Sequence, residues 1–92
     1  MSYNILPYTQ RQARRIGVEV RPSVKPEKKI DVFRDGERIA SIGARGMGDY
    51  PHYVRSHGMA YAKERQRLYK RRHGDDRLKR WTPSWLADNL LW

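Results

Sequence analysis

The sequence contains no cysteine and only one phenylalanine among its 92 residues. Without cysteine the chain can form neither disulfides nor thiolate metal sites, which are the usual stabilising links of very small domains. A chain of this length buries only about 60 to 65% of the surface that its unfolded form exposes. We therefore expect a thin hydrophobic core that gains stability from packing against another chain.

Long hydrophobic runs are also missing. No stretch approaches the roughly 20 apolar residues of a membrane span, and the first residues have only a short apolar run before they turn basic, unlike a signal peptide. Apolar residues still make up 38% of the chain and aromatic residues 11%, which is too rich for a wholly unstructured chain. We expect no membrane span, and a soluble or assembly-bound protein in a cytosol-like compartment.

Acidic residues are scarce, and the formal net charge is +10. Residues 1–29 contribute +5, residues 30–58 are neutral, and residues 59–92 contribute another +5. Two basic segments around a neutral middle suit a polyanion or an acidic protein surface better than an active site.

Residues 1–29 are predicted to form an extended basic arm, and residues 30–92 a small α+β domain. Pro7, Pro22 and Pro26 interrupt any helix in the arm, and the basic run between the first two is too short to form one independently.

The clearest local pattern is a β-hairpin around Asp35-Gly36, because Asp-Gly favours the type I′ turn that joins two strands. A two-residue loop sets the cross-strand pairs, which are Arg34 with Glu37, Phe33 with Arg38, Val32 with Ile39 and Ile30 with Ser41. A lone hairpin is marginal in water, so it must pack on a helix or gain a strand. Val18 and Val20 alternate with polar residues and predict one short strand that adds to a sheet edge, in this protein or in a neighbour.

Residues 41–53 include Gly43, Gly46 and Gly48 but no lysine, so a phosphate cradle is the weaker of two interpretations. We favour a corner in which the glycines take left-handed conformations before a helix that begins near Pro51.

The segment from Met59 to His73 consists almost entirely of good helix formers. Tyr61 and Leu68 lie seven residues apart and predict its buried stripe. Thr82 predicts the cap of a short closing helix. The last 12 residues hold three tryptophans, which we expect to anchor the domain or to enter a partner: Trp81, Trp85 and Trp92. The predicted fold class is α+β: a β-hairpin with a possible third short strand, packed on one long basic helix and a short C-terminal helix, with an extended N-terminal arm.

Between Lys63 and Arg72 there are six basic side chains and one acid, Glu64. A face without balancing ion pairs repels itself and favours an external anion, either nucleic-acid phosphates or acidic protein side chains. The candidate binding residues are Arg11, Arg14, Arg15, Lys63, Arg65, Arg67, Lys70, Arg71 and Arg72. No base-reading motif accompanies them, so nucleic-acid binding would be weakly specific.

No catalytic, cofactor or metal site is predicted. The serines stand in no nucleophile motif, and His52 and His57 are five residues apart, which places them on different sides of a helix. We therefore expect a protein that is not an enzyme and has no cofactor, metal or small-molecule substrate.

Three motifs, "IGARGMGDY", "YAKERQRLYKRRHG" and "WLADNLLW", together resemble a group of small, basic, largely uncharacterised proteins of large double-stranded DNA viruses. Members of that group resemble this chain in a hairpin, a GA-x-G-x-x-DY turn, a helix ending Y-x-x-RH and a W-A-D-K-L-L-W-like terminus. The similarity covers residues 30–92, with Met47-Gly48 and Asn89 departing from the usual residues. It implies a viral origin and no particular chemistry.

We expect a structural component of the virion, a minor capsid or cement-type protein that bridges other viral structural proteins through its arm and its aromatic terminus. The alternative is a nonspecific nucleic-acid-binding protein that packages or condenses the viral genome through its basic helix. The expected location is the virion, and the host cytoplasm or nucleus during assembly.

Overall fold

The computed structural model describes residues 3–92, which have an α+β fold of one three-stranded antiparallel sheet and four α-helices. In chain order the elements are α1 (Pro7–Ile16), β1 (Glu19–Pro22), β2 (Lys28–Arg34), β3 (Glu37–Ala44), α2 (Tyr50–His57), α3 (Met59–His73), a 3₁₀ helix (Gly74–Leu78) and α4 (Pro83–Leu90). The chain divides into two compact units, and the boundary lies between Met47 and Gly48. The sheet and α1 belong to the first unit, and the remaining helices belong to the second.

The prediction of an extended N-terminal arm is wrong for residues 3–29, because α1 and β1 occupy most of them. Pro7 stands at the start of α1, where its fixed φ suits the helix and its missing N–H costs no hydrogen bond. Thr9 and Ala13 are buried four residues apart, so packing of one face stabilises a helix that propensity alone would not. Residues 1 and 2 of the predicted arm lie outside the described part of the chain.

The third strand predicted from Val18 and Val20 is confirmed, and it belongs to this protein's own sheet. The strand order is β1-β2-β3, so β2 is hydrogen-bonded on both sides. Val20 lies opposite Val32, and both side chains are buried. The edge position of β1 accommodates Pro22, which cannot donate a ladder hydrogen bond.

The hairpin turn is confirmed, but the predicted register holds only next to it. Asp35 and Gly36 have φ values of 52° and 80°, as a type I′ turn requires. The two predicted pairs beside the turn are present, Arg34 with Glu37 and Phe33 with Arg38.

Beyond those pairs, a β-bulge shifts the register by one residue. Val32 lies opposite Ala40, and Ile30 lies opposite Ile42, so the predicted partners Ile39 and Ser41 are wrong. The bulge turns Ile39 outward, where it is 39% exposed, while Ile42 is 2% exposed and completes the core beside Ile30. Ser41 pairs with Asp31 instead.

Asp31 is a buried carboxylate in the middle of β2. Its side chain accepts hydrogen bonds from the hydroxyls of Ser23 and Ser41, each at 2.6 Å, and from the amide of Val24 at 3.3 Å. An Arg38 guanidinium nitrogen lies 3.9 Å away. Burial would raise the pKa of Asp31, but these hydrogen bonds and the Arg38 charge lower it below its ordinary value. Asp31 therefore ties the segment after β1 to β3 through the central strand.

In the second unit α2 and α4 each begin with a side-chain cap, and the one at Thr82 is the cap that the sequence predicts. The Asp49 side chain accepts a hydrogen bond from the His52 amide at the start of α2, and Thr82 accepts one from the Trp85 amide at the start of α4. Gly58, with a φ of 89°, separates α2 from α3.

The buried stripe of α3 differs from the predicted one. Ala62 and Tyr69 are 0% and 8% exposed, whereas Tyr61 is 42% exposed. Both stripes have the same seven-residue spacing and differ by one position, or 100° around the helix. Tyr69 occupies the buried position of the helix, where the Trp92 ring stacks on it.

The closing segment contributes three leucines to the core of the second unit. Leu86, Leu90 and Leu91 are at most 1% exposed, and burying each contributes roughly 1.5 to 3 kcal/mol. The Tyr50 amide donates to the Leu91 carbonyl at 2.9 Å and so joins α2 to this segment. Among the described residues, none of the helices combines the length and apolar character needed to cross a membrane.

Candidate functional site

The strongest concentration of charge lies on α3, which begins after Gly58 and ends at His73, just before Gly74. Its last turn contains Lys70, Arg71, Arg72 and His73. Cations at this end are favoured by the helix dipole, so the charge clusters where the helix tolerates it best. A cation of this helix can bind an external anion only where no acidic side chain already neutralises it.

Three cations follow one another at spacings of four residues, in a row inclined to the axis of α3: Lys63, Arg67 and Arg71. We call this row the basic stripe. Its members are four residues apart and all exposed, so they succeed one another at a rise of about 6 Å. The Lys63 ammonium also lies 5.8 Å from the centre of the Tyr50 ring, which orients it weakly.

The middle member of the basic stripe is held by the helix's single acid. Arg67 donates two hydrogen bonds to Glu64, at 2.6 and 3.1 Å. These bonds lower the pKa of the Glu64 carboxyl and raise that of Arg67. Both side chains are more than half exposed, so solvent and salt screen the pair. The pair fixes the direction of the Arg67 guanidinium and offsets part of its charge.

The other predicted cations of α3 have different surroundings. Arg71 and Arg72 are exposed, and their side chains make no hydrogen bond or ion pair with any of the described residues. Arg65 is half-buried, with its guanidinium 5.6 Å from the centre of the Tyr53 ring. Lys70 points inward and donates to the Asp88 carboxylate at 2.7 Å.

Lys70 is therefore structural. The Asp88 carboxylate is only 11% exposed and also lies 3.8 Å from Arg77, so it joins α3 and the 3₁₀ helix to α4. Nothing in the sequence marks Asp88 as the partner of Lys70, because the two residues are 18 positions apart.

A second group of predicted cations lies on α1 in the first unit. Arg11, Arg14 and Arg15 are exposed, and they share one side of the helix at spacings of three and four residues. Arg15 donates to the Gln12 side chain at 3.4 Å.

The predicted tryptophan anchors separate into two kinds. Trp92 stacks on Tyr69, with centroids 4.3 Å apart and planes 8° apart, and so anchors its own unit. Trp81 and Trp85 form a tilted pair with centroids 4.9 Å apart, and each is half-buried. Arg80, which sequence reasoning overlooked, lies over Trp85 at 5.7 Å.

The predicted glycine corner contains two left-handed residues and one close contact. Gly43 and Gly46 have φ values of 80° and 85°. Gly48 does not have a positive φ; the Tyr53 ring packs where its side chain would be. The Asp49 carboxylate already occupies the start of α2, which favours a corner over a phosphate cradle.

No metal site accompanies these groups. Across residues 3–92, no three His, Asp or Glu side chains lie close enough together to hold an ion. Comparison of the chain with family models, curated proteins and solved structures found no match. The resemblance to proteins of large DNA viruses therefore stays a prediction.

Proposed function

We propose that this protein is a non-enzymatic nucleic-acid-binding protein that contacts phosphates through α3 and packages or condenses a genome. The observation that supports this most is the basic stripe, three exposed cations in a row on a helix with a single acidic residue. Arg71, at one end of the stripe, and the neighbouring Arg72 carry charges that no described residue neutralises.

Residues 3–29 are folded, which helps to choose between a nucleic-acid-binding protein and a cement protein of the virion. A cement protein with an extended arm would gain its order from neighbouring chains, whereas a nucleic-acid-binding protein folds on its own. Each unit has its own buried side chains, such as Ile30 and Val32 in the first and Leu86 and Leu90 in the second. This arrangement favours the nucleic-acid function.

Binding of this kind is sequence-independent. Exposed arginines and lysines along a helix meet the phosphate backbone, which positions a protein without reading bases. Each neutralised phosphate releases counterions, so the logarithm of the binding constant falls with the logarithm of salt concentration by about 0.9 per contact on duplex DNA.

The test is a titration of the protein into labelled duplex DNA from about 50 to 300 mM salt, a range in which several phosphate contacts change affinity by orders of magnitude. A variant with Lys63→Gln, Arg67→Gln and Arg71→Gln should flatten the salt dependence by about two to three units of slope. The matched control removes the same charge from α1 by Arg11→Gln, Arg14→Gln and Arg15→Gln. Equal losses in both variants would mean that only net charge matters and would overturn the assignment to α3.

The second candidate is a structural component of a viral particle, bridging other viral structural proteins. It is favoured by the half-buried Trp81 and Trp85 and by Leu78, which is 58% exposed. Its location would be the virion, and the host cytoplasm or nucleus during assembly. Duplex binding that disappears by physiological salt would place this candidate first.

A further inference from the structure

The segment from Arg77 to Ala87 combines a tryptophan pair with three cations. It contains Arg77, Lys79 and Arg80 and no acidic residue. Arg77 lies 3.8 Å from Asp88. Lys79 and Arg80 are exposed, and the nearest acid to Lys79 is the exposed Asp76 at 3.8 Å.

The two rings of the pair do not cover each other. The planes of Trp81 and Trp85 are 52° apart, whereas the planes of Tyr69 and Trp92 are only 8° apart. Because the rings are tilted, part of each π face is left uncovered by the other ring. Both rings are half-buried, so each is held by the protein and still reaches solvent.

The backbone at Trp81 is strained. Its φ is 68°, in the left-handed region that bulky side chains avoid. Thr82, the next residue, accepts the capping hydrogen bond of α4, and its hydroxyl donates to the Lys79 carbonyl at 2.7 Å. This short loop therefore sets the indole of Trp81 against Trp85 at a cost in backbone free energy.

We propose that Trp81 and Trp85, with Arg80 and Lys79 beside them, form a stacking site for the unpaired bases of single-stranded nucleic acid. Aromatic rings beside cations are the common means of holding single strands without sequence preference, because every base has a flat π face. Arg80 already lies over Trp85 and would stack with an entering base or bind its phosphate. The inference rests on the proposed nucleic-acid function but adds a preference for bases that the basic stripe does not have.

The test compares three probes at one salt concentration: an oligothymidylate of about 20 nucleotides, a strand of the same length with abasic sites, and a duplex. The native protein should bind the oligothymidylate more tightly than the abasic strand, and its tryptophan fluorescence should be quenched. Trp81→Asn should reduce oligothymidylate affinity by about five- to 100-fold, the loss expected for one stacked base. The same variant should leave duplex affinity within about twofold.

Asparagine is the chosen replacement because it tolerates a positive φ, so the loop keeps its backbone. Trp85→Phe keeps a ring and should retain most of the single-strand affinity. Trp92→Phe is the matched control, since Trp92 stacks inside the protein, and it should leave the preference for bases unchanged. Circular dichroism of each variant verifies that it is folded.

Equal binding of the oligothymidylate and the abasic strand by the native protein would overturn the inference. So would an unchanged preference in Trp81→Asn, and the pair would then be assigned to a protein partner. A different result would overturn the proposed function. This would be the case if the variant without the basic stripe bound duplex DNA with unchanged affinity and unchanged salt dependence.

Discussion

The ring of Tyr69 in α3 lies nearly parallel to the ring of Trp92, with the two centroids 4.3 Å apart. One turn earlier on α3, the Gln66 side chain donates a hydrogen bond to the Trp92 carbonyl. Burial raises the pKa of the Tyr69 hydroxyl, and the nearby Asp88 charge adds to the effect. The residues that follow α4 are thus fixed on α3 by stacking and by a hydrogen bond.

We expect Trp92→Ala to lower the free energy of unfolding by about 2 to 4 kcal/mol, through lost burial and lost stacking. Urea denaturation followed by circular dichroism measures this change. A double-mutant cycle with Tyr69→Leu should give a coupling of about 0.5 to 1.5 kcal/mol. Additive effects of the two substitutions would show that the rings do not stabilise each other.

Asp31 should make stability depend on pH in the acid range. Its pKa is lowered in the folded state, so its contribution is fully present above the unfolded value of about 3.9 and is lost as pH falls through the folded value. The difference in melting temperature between the native protein and Asp31→Asn should therefore shrink below about pH 4. Asp35→Asn, at the exposed hairpin turn, is the control and should show a much smaller difference at neutral pH. A constant difference across the range would contradict this assignment.

Gly48→Ala should be destabilising for a steric reason. An added Cβ would collide with the Tyr53 ring, whereas at Gly46 it would enter open space. Gly46→Ala should cost about 1 to 2 kcal/mol, from its φ of 85° alone. The test is to repeat Gly48→Ala in a Tyr53→Ala background, where the penalty should largely disappear. A penalty of the same size in both backgrounds would point to the backbone instead.

Because of the bulge in β3, truncating its two isoleucines should lower the free energy of unfolding by very different amounts. Ile42→Ala should cost about 2 to 5 kcal/mol, because it opens a cavity beside Ile30. Ile39→Ala should cost less than about 1 kcal/mol, because Ile39 is 39% exposed. Thermal denaturation of the two variants compares them directly. If Ile39→Ala cost more stability than Ile42→Ala, the register predicted from the two-residue loop would be correct and the bulge would not form.

Features with a local cause were predictable from the sequence. Such features include the Asp35-Gly36 turn and the caps at Asp49 and Thr82. In each of them the interacting residues are at most three positions apart, so a short stretch of sequence includes both partners. The strand that contains Val20 was predictable for the same reason, from its alternation.

Features that depend on distant partners were not predictable. Beyond the bulge Ile42 lies opposite Ile30, and on α3 the buried Tyr69 stacks on Trp92, which is 23 positions away. Of the nine predicted cations, Lys70 donates to Asp88, and the sequence does not indicate this partner because it lies on another helix. The proline pattern predicts that Pro7 interrupts a helix, whereas at the first turn of α1 it starts one.

The position of β2 has a consequence for how copies of this protein behave when crowded together. Its buried Ile30 and Val32 make it the strand most able to template a fibril, yet both of its sides are already hydrogen-bonded. The two edge strands are poor templates for a further strand. β1 has only four residues and ends in Pro22, and β3 has a β-bulge that interrupts regular pairing. The chain can therefore be concentrated to high density without polymerising strand to strand.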